Sequence, residues 1–372
     1  MITVGTTQRS YPAVRNFLGG ESEEVHYRRV GNAFRYPEHL LFKAFGYTEP
    51  LIGNLHWGGR GCDVLHFFNR VSFDNRPWVT TFETVLPRWD QLRPRLIPLG
   101  LGLLARDSCK RLIALSECTR DFQLAFLDAH PKHRERIAPK ITVLHPPQAL
   151  LTDTPRSAPA ADEAIHFAFV GVDFFRKGGR EVLRAFDRLL EGGAPIRLTI
   201  VSAMHHGDYA SRTTGEDLAE AQQLIAKWPG RIEQFGRLAN DGVLELFRTA
   251  HVALLPTWAD TYGYSVLEAQ AAGCPVLSTD VRALPEINDD RAGWVIPVPK
   301  DGRGNAEIGT VAEREDFSRL LEVGIARAVE AILADPGSIA MRSAASLARI
   351  REHHDPAAHA ARLRDIYLEA LG

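Results

Sequence analysis

The sequence predicts an α/β chain built as two Rossmann-like, doubly wound domains, and three observations predict it. From about residue 164, short β-branched runs alternate with helical patterns, the arrangement that builds a parallel sheet wrapped by helices. A chain of 372 residues is long for one hydrophobic core and suits two. Residues 149–163 carry Pro155, Pro159 and several alanines without periodicity, which marks a linker. The expected division is residues 1–155 and residues 160–354, with ligands at the carboxyl ends of the strands.

In the second half the strands fall at 165–171, 196–202, 231–235, 251–256 and 275–279. Helical patterns at 180–190, 215–228, 241–250 and 264–272 separate them, with Asn240-Asp241 as an N-cap signal for the third. The first half is less regular. Strands are expected at 63–69, 78–82, 112–116 and 141–144, and helices near 100–109 and 117–129. Residues 1–60, rich in Gly, Arg and aromatics, receive no element. Residues 300–315 are expected to form a surface loop. The tail places Leu363, Ile366, Tyr367, Ala370 and Leu371 at helical spacing, one apolar stripe that needs a partner.

At 45% hydrophobic and 24% charged, the composition is that of a soluble globular chain. No apolar run approaches the ~18 residues of a membrane span. The start of the chain lacks a basic-then-apolar leader pattern, and four cysteines form no Cys-x-x-Cys pair. A cytoplasmic chain with reduced thiols is expected. Residues 1–140 hold 20 Lys and Arg against 14 Asp and Glu, and residues 141–372 hold 24 against 32. The basic half suits peripheral contact with anionic lipid headgroups or an acidic acceptor. No nucleic-acid signature is present, and the 14 histidines show no metal-ligand spacing.

The densest chemistry lies in residues 256–286. A buried strand runs into a turn carrying Asp260, Gly263 opens a helix, and Glu268 follows on that helix after seven intervening residues. Gly273-Cys274-Pro275 stops the helix and starts another strand. The first turn, Gly263, Tyr264 and Ser265, offers backbone N–H groups suited to a phosphate. An acid, a phosphate cradle and a second acid fit a ligand with hydroxyls at both ends and a diphosphate between, the layout of a sugar nucleotide. After the strand at 165–171, Gly171 and Lys177-Gly178 place a cation over that strand's carboxyl end, where it can neutralise a diphosphate.

These motifs resemble the signature of the retaining GT-B glycosyltransferases of family 4, the group 1 glycosyl transferases. Acid-x7-Glu, a small-residue helix, Gly-x-Pro-Val and Pro285-Glu286 carry the likeness in one segment, and Gly171 to Lys177 carries it in the other. The resemblance implies two Rossmann-like domains facing a cleft, with the terminal helix (355–372) returning to the first. It implies that Asp260 faces the donor sugar and Glu268 the ribose hydroxyls. It gives Lys177 and neighbouring Arg176 the diphosphate, and Gly236-Arg237 the border of the base. Glu83 ends a strand at a position usually held by His, where it would contact sugar or acceptor. The implied reaction is metal-independent transfer of a hexosyl group from a nucleotide-diphosphate sugar to a carbohydrate or lipid-linked hydroxyl, as in polysaccharide or glycolipid assembly. No further cofactor is implied.

Four departures stand out. Asp260 replaces the usual Glu, Val172 replaces an Arg of the diphosphate loop, Glu83 replaces a His, and Arg282-Ala283 replaces a Gly-Gly pair. The alternative that tolerates them is a catalytically silent nucleotide-sugar-binding protein of the same fold. A nicotinamide-dependent oxidoreductase is a third reading, but Gly100-Leu-Gly102 lacks the preceding strand and the following acid that a dinucleotide fingerprint needs.

Overall fold

The computed structural model describes residues 1–8, 11–20, 23–32, 40, 51, 54–56, 58–89, 94–160 and 162–372. The chain divides into two compact units, residues 1–147 with 354–372, and residues 148–353.

The first unit is a six-stranded, all-parallel sheet formed by β1 (Ile2–Thr6), β2 (Val25–Arg29), β3 (Val64–Phe68), β4 (Trp78–Phe82), β5 (Cys109–Ala114) and β6 (Ile141–Val143). Its order is β2-β1-β3-β4-β5-β6. Strands β3 and β4 are buried along their whole length, the mark of a parallel sheet covered on both faces. Flanking helices are α1 (Tyr11–Asn16), α2 (Ile97–Ala105), α3 (Glu117–Asp128) and α4 (Pro131–Ile137). Strands β1 and β2 come from the stretch left unassigned by sequence. Arg9, Arg35, Lys43 and Arg93, part of the basic excess of this half, lie outside the described residues.

The Gly100-Leu-Gly102 stretch lies inside α2 and makes no phosphate loop. A Cβ at Gly100 would sit 2.5 Å from Pro87 Cγ, so that glycine serves close packing.

The second unit holds β7 (Ile165–Val170), α5 (Gly179–Glu191), β8 (Ile196–Val201), α6 (Gly215–Lys227), β9 (Ile232–Phe235), α7 (Asn240–Thr249), β10 (Val252–Leu255), α8 (Tyr264–Ala271), β11 (Val276–Thr279), α9 (Leu284–Ile287), β12 (Gly293–Ile296), α10 (Val311–Ala334) and α11 (Gly337–His353). All six strands are parallel, in the order β12-β11-β10-β7-β8-β9. Strand β12 is one that the sequence reading missed. Helix α6 opens on a capping box made by Thr214 and Asp217, and α10 on one made by Thr310 and Glu313. Helix α7 begins at Asn240 itself, with Ala239 at the N-cap and no side-chain cap.

The segment after residue 147 is fastened to this unit, although the sequence placed its first residues with the other half. Leu151 N donates to Ala271 O at 2.8 Å and Arg156 N to Ser343 Oγ at 2.8 Å.

The last helix, α12 (Pro356–Leu371), belongs to the first unit. Leu363, Ile366, Tyr367 and Ala370 are buried, while Leu371 is exposed, so the stripe ends one residue early. Its anchor is polar. The Tyr367 hydroxyl shares a 2.6 Å hydrogen bond with His66 Nδ1 and one of 3.1 Å with the Tyr27 hydroxyl. His66 Nε2 meets Thr81 Oγ1 at 2.8 Å, and Phe17 stacks on the imidazole with ring centres 3.9 Å apart.

Burial depresses His66 to about 3, helped by the nearby His359, and burial depresses His166 of β7 to about 4. The unfolded chain takes these protons near pH 6.5, where the native chain refuses them. Their contribution is therefore complete above about pH 6.5 and lost as pH falls towards 4 and 3. Urea unfolding should show a lower midpoint at pH 5 than at pH 7.5, with up to ~1.4 kcal/mol lost per pH unit for each such histidine. A midpoint unchanged over that range would contradict the buried neutral state.

Candidate functional site

The strand order of the second unit reverses between β7 and β10, which leave their carboxyl ends side by side. In open α/β sheets that reversal opens the crevice in which ligands bind. Both sequence motifs emerge there, one from each strand.

After β7, a Cβ on Gly171 would lie 2.1 Å from Lys177 Cδ, so the lysine folds back across the strand end because that residue has no side chain. Gly178 follows with φ of 84°, left-handed, and caps α5. A Cβ there would meet the carbonyl oxygen of Pro256, at the end of β10, at 2.1 Å. Only glycine meets both conditions. The two loops are thereby in backbone contact, and further bonds fasten them. Trp258 N and Thr257 Oγ1 donate to Arg176 O at 2.9 and 3.1 Å. Arg176 Nη1 donates to Ala259 O at 2.5 Å, and its guanidinium also pairs with Asp173.

Lys177 Nζ donates to Asp260 Oδ2 at 2.8 Å, with both side chains about six-sevenths buried. Burial alone would raise the Asp260 carboxyl. The charge and hydrogen bond of Lys177, with help from Arg176, override it and hold the group below the usual carboxylate range. For Arg176, burial works against the charged form, but its hydrogen bond to Asp173 and the charge of Asp260 prevail and raise it. Each cation of the cluster is paired with a carboxylate, Lys177 with Asp260 and Arg176 with Asp173.

Three residues beyond Asp260, Gly263 caps α8 with φ of 97°. A Cβ there would press on Leu284 Cδ2 at 2.7 Å, so α9 packs directly on the helix start. Tyr264 and Ser265 form the first turn, whose amides have no acceptor within a helix. Glu268 lies one turn further, partly buried. Gln270 fixes α8 from behind, its Nε2 donating to Ile287 O at 2.9 Å.

The structure thus brings Gly171, Arg176, Lys177 and Asp260 together beside the helix start of Gly263, Tyr264, Ser265 and Glu268. Gly236 and Arg237 are exposed after the edge strand β9, two strands across the sheet from β7. Among the described residues Arg237 makes no hydrogen bond or ion pair. Glu83 follows β4 in the first unit. Its Oε1 accepts from Arg88 Nη1 at 2.8 Å and from Asn69 Nδ2 at 3.0 Å, so it stands as a paired carboxylate.

Sequence reasoning missed two supports. Glu181 is fully buried in α5 and accepts from Ser318 Oγ at 2.7 Å and from Trp258 Nε1 at 3.3 Å, which holds the loop before Asp260. Arg282 adopts φ of 48°, left-handed at a non-glycine residue. The substitution by Arg of a position usually Gly was the available signal. Among the described residues, no group of three or more His, Cys, Asp or Glu could hold a metal ion, and no helix is long and apolar enough to cross a membrane.

Residues 164–307 match the family model described as Glycosyl transferases group 1. The sucrose-phosphate synthase of Thermosynechococcus elongatus superposes with a TM-score of 0.64 at 15% identity, over 99% of this chain and 98% of that one. Anabaena HepE in complex with UDP and glucose gives 0.60 at 13% identity, over 98% of each chain. The fold is GT-B. A D-inositol 3-phosphate glycosyltransferase of Mycobacteroides abscessus is 26% identical over 63% of this chain and 52% of its own length. A glycogen synthase of Mycobacterium tuberculosis is 26% identical over 58% of this chain and 44% of its own. The chain spans about half the length of these curated relatives. Together the matches support a glycosyltransferase family.

The contact of Gly178 with Pro256 O predicts a paired stability result. Gly193 has φ of 77° and nothing within 4 Å of an added Cβ, so Gly193→Ala should cost about 1–2 kcal/mol from backbone conformation alone. Gly178→Ala adds a backbone collision and should cost at least twice as much in urea unfolding. Equal costs would mean the two loops are not in contact.

Proposed function

We propose that this chain is a glycosyltransferase that moves a sugar from a nucleotide-diphosphate sugar to a carbohydrate or lipid-linked hydroxyl, with retention of configuration and without a catalytic metal. The observation that carries the reading is the position of Lys177. Its aliphatic stem lies across Gly171 at the sheet's switch point, and its ammonium is bonded to Asp260 just before the start of α8. A cation and a helix N-terminus on one crevice are what a departing diphosphate requires. The group 1 match and the HepE complex with UDP and glucose support the same donor class.

The chemistry follows from the charges. As the bond from the sugar's anomeric carbon to the diphosphate oxygen lengthens, negative charge gathers on the diphosphate. Lys177 and the first-turn amides of α8 oppose it from fixed positions, so little reorganisation is needed at the moment of reaction. Glu268 accepts hydrogen bonds from the ribose hydroxyls. Asp260 neutralises Lys177. When sugar hydroxyls donate to that carboxylate, Lys177 is released towards the diphosphate, so recognition of the sugar and of the leaving group are coupled. Arg176 acts through the loop, because Asp173 and Ala259 hold its guanidinium. Retention is consistent with acceptor attack on the face the diphosphate leaves, with the departing oxygen taking the acceptor's proton.

Two substitutions test the roles. Lys177→Ala should lower turnover by roughly 100-fold or more in an assay of donor hydrolysis or transfer, the usual loss of one preorganised stabilising group. Near-normal turnover would remove Lys177 from the diphosphate. Glu268→Ala should weaken UDP or GDP binding by ~1.5–3 kcal/mol in calorimetry, the scale of a charged hydrogen bond. Affinity left intact would place the carboxylate away from the ribose. A chain that binds nucleotide and its sugars but neither hydrolyses nor transfers them is the silent binder instead.

A further inference from the structure

Trp258 stands on the loop that delivers Asp260, and a buried carboxylate holds its indole. Glu181 lies in the first turn of α5, the helix that Gly178 caps directly after Lys177. Its side chain is 1% exposed, and its two oxygens serve different elements. Oε1 accepts from Ser318 Oγ of α10 at 2.7 Å and from Arg180 Nε at 3.3 Å. Oε2 accepts from Trp258 Nε1 at 3.3 Å. Glu181 therefore ties the loop of Asp260 to α10 and to the helix that follows Lys177.

Packing does not enclose that loop on every side. Bonds to Arg176 hold it on one side, and Phe317 of α10 lies against the indole with ring centres 4.7 Å apart. Elsewhere a cavity of about 340 Å³ adjoins it, lined by Trp258, Ala259, Val281 and Ile308 among others. A side chain beside a void can shift without displacing its neighbours, whereas one packed all round cannot. The bond to Glu181 fixes the indole where packing leaves it room, and losing it would also leave a carboxylate oxygen unpaired in the interior. The start of α8 is fastened separately, by Gln270 on Ile287 O and by Gly263 against Leu284. A displaced Trp258 thus moves Asp260 against Lys177 and leaves the helix start in place.

Resting on the proposed function, we infer that Glu181 is a positioning residue for sugar transfer: through the Trp258 indole it sets Asp260 at Lys177, and it governs turnover rather than donor affinity.

The test measures acceptor-free release of UDP or GDP from UDP-glucose, UDP-galactose, UDP-N-acetylglucosamine and GDP-mannose. The wild type is compared with Trp258→Phe, Glu181→Gln, Glu181→Leu and the double variant Glu181→Leu/Trp258→Phe. Trp258→Phe keeps an aromatic ring beside Phe317 and removes the N–H donor. Glu181→Gln keeps an oxygen for the indole and offers an amide to Ser318. With the donor that the wild type cleaves, Trp258→Phe and Glu181→Leu should each lower kcat roughly 10- to 100-fold, the scale of a small misplacement of reacting groups, with KM changed by less than about threefold. The double variant should lose no more than either single one, because all three remove the same contact. Glu181→Gln should keep most of the turnover. If Glu181→Leu does not fold, Trp258→Phe and Glu181→Gln still decide. Full turnover in Trp258→Phe, a loss confined to KM, or Glu181→Gln as slow as Trp258→Phe overturns the inference and leaves the proposed function standing. A wild type that releases neither nucleotide from any of these donors overturns both.

Discussion

The site depends on one close approach, that of Gly178 to the carbonyl of Pro256. Two loops from neighbouring parallel strands can be this near only if one lacks a side chain at the point of contact. Once they touch, the rest of the cluster has little freedom. The carbonyl of Arg176 takes the amide of Trp258, and the guanidinium of Arg176 takes the carbonyl of Ala259. Asp260 is then within reach of Lys177. Buried Glu181 and Trp258 close the back of the arrangement, and Gly263 turns the chain into α8. The site is thus built on backbone contacts between rigid strand ends, the setting in which charged groups can be preorganised.

Charge balance gives this arrangement its character. Two cations and two carboxylates stand together, each paired, with Lys177, Asp260 and Arg176 mostly buried and Asp173 half exposed. A lone buried cation would be costly and would drift towards its neutral form. Pairing the lysine with a carboxylate offsets much of that cost.

Much of the second unit was legible in the sequence, because its central strands β7, β10 and β11 are buried on both faces and Gly178, Gly263 and Gly273 sit where the chain must turn. The sequence positions of Asp260, Glu268 and Lys177 placed all three on the loops and helix that follow β7 and β10. Other features left no local trace. Strand β2, Val-His-Tyr-Arg-Arg, is a polar edge strand and lacks apolar periodicity. Glu181 resembles any helix-surface glutamate until Trp258, 77 residues later, is seen to bond it. Glu83 gave no hint that Arg88 and Asn69 would hold it. Pairing across sequence distance, rather than composition, decides these cases.

The account stands on a single anion being held between the lysine and the helix start. A crystal structure of the chain with UDP or GDP tests that directly. The diphosphate should lie within hydrogen-bond distance of Lys177 Nζ and of the Tyr264 and Ser265 amides, with the ribose against Glu268. A nucleotide bound in the second unit away from Lys177, with that crevice empty, would contradict it.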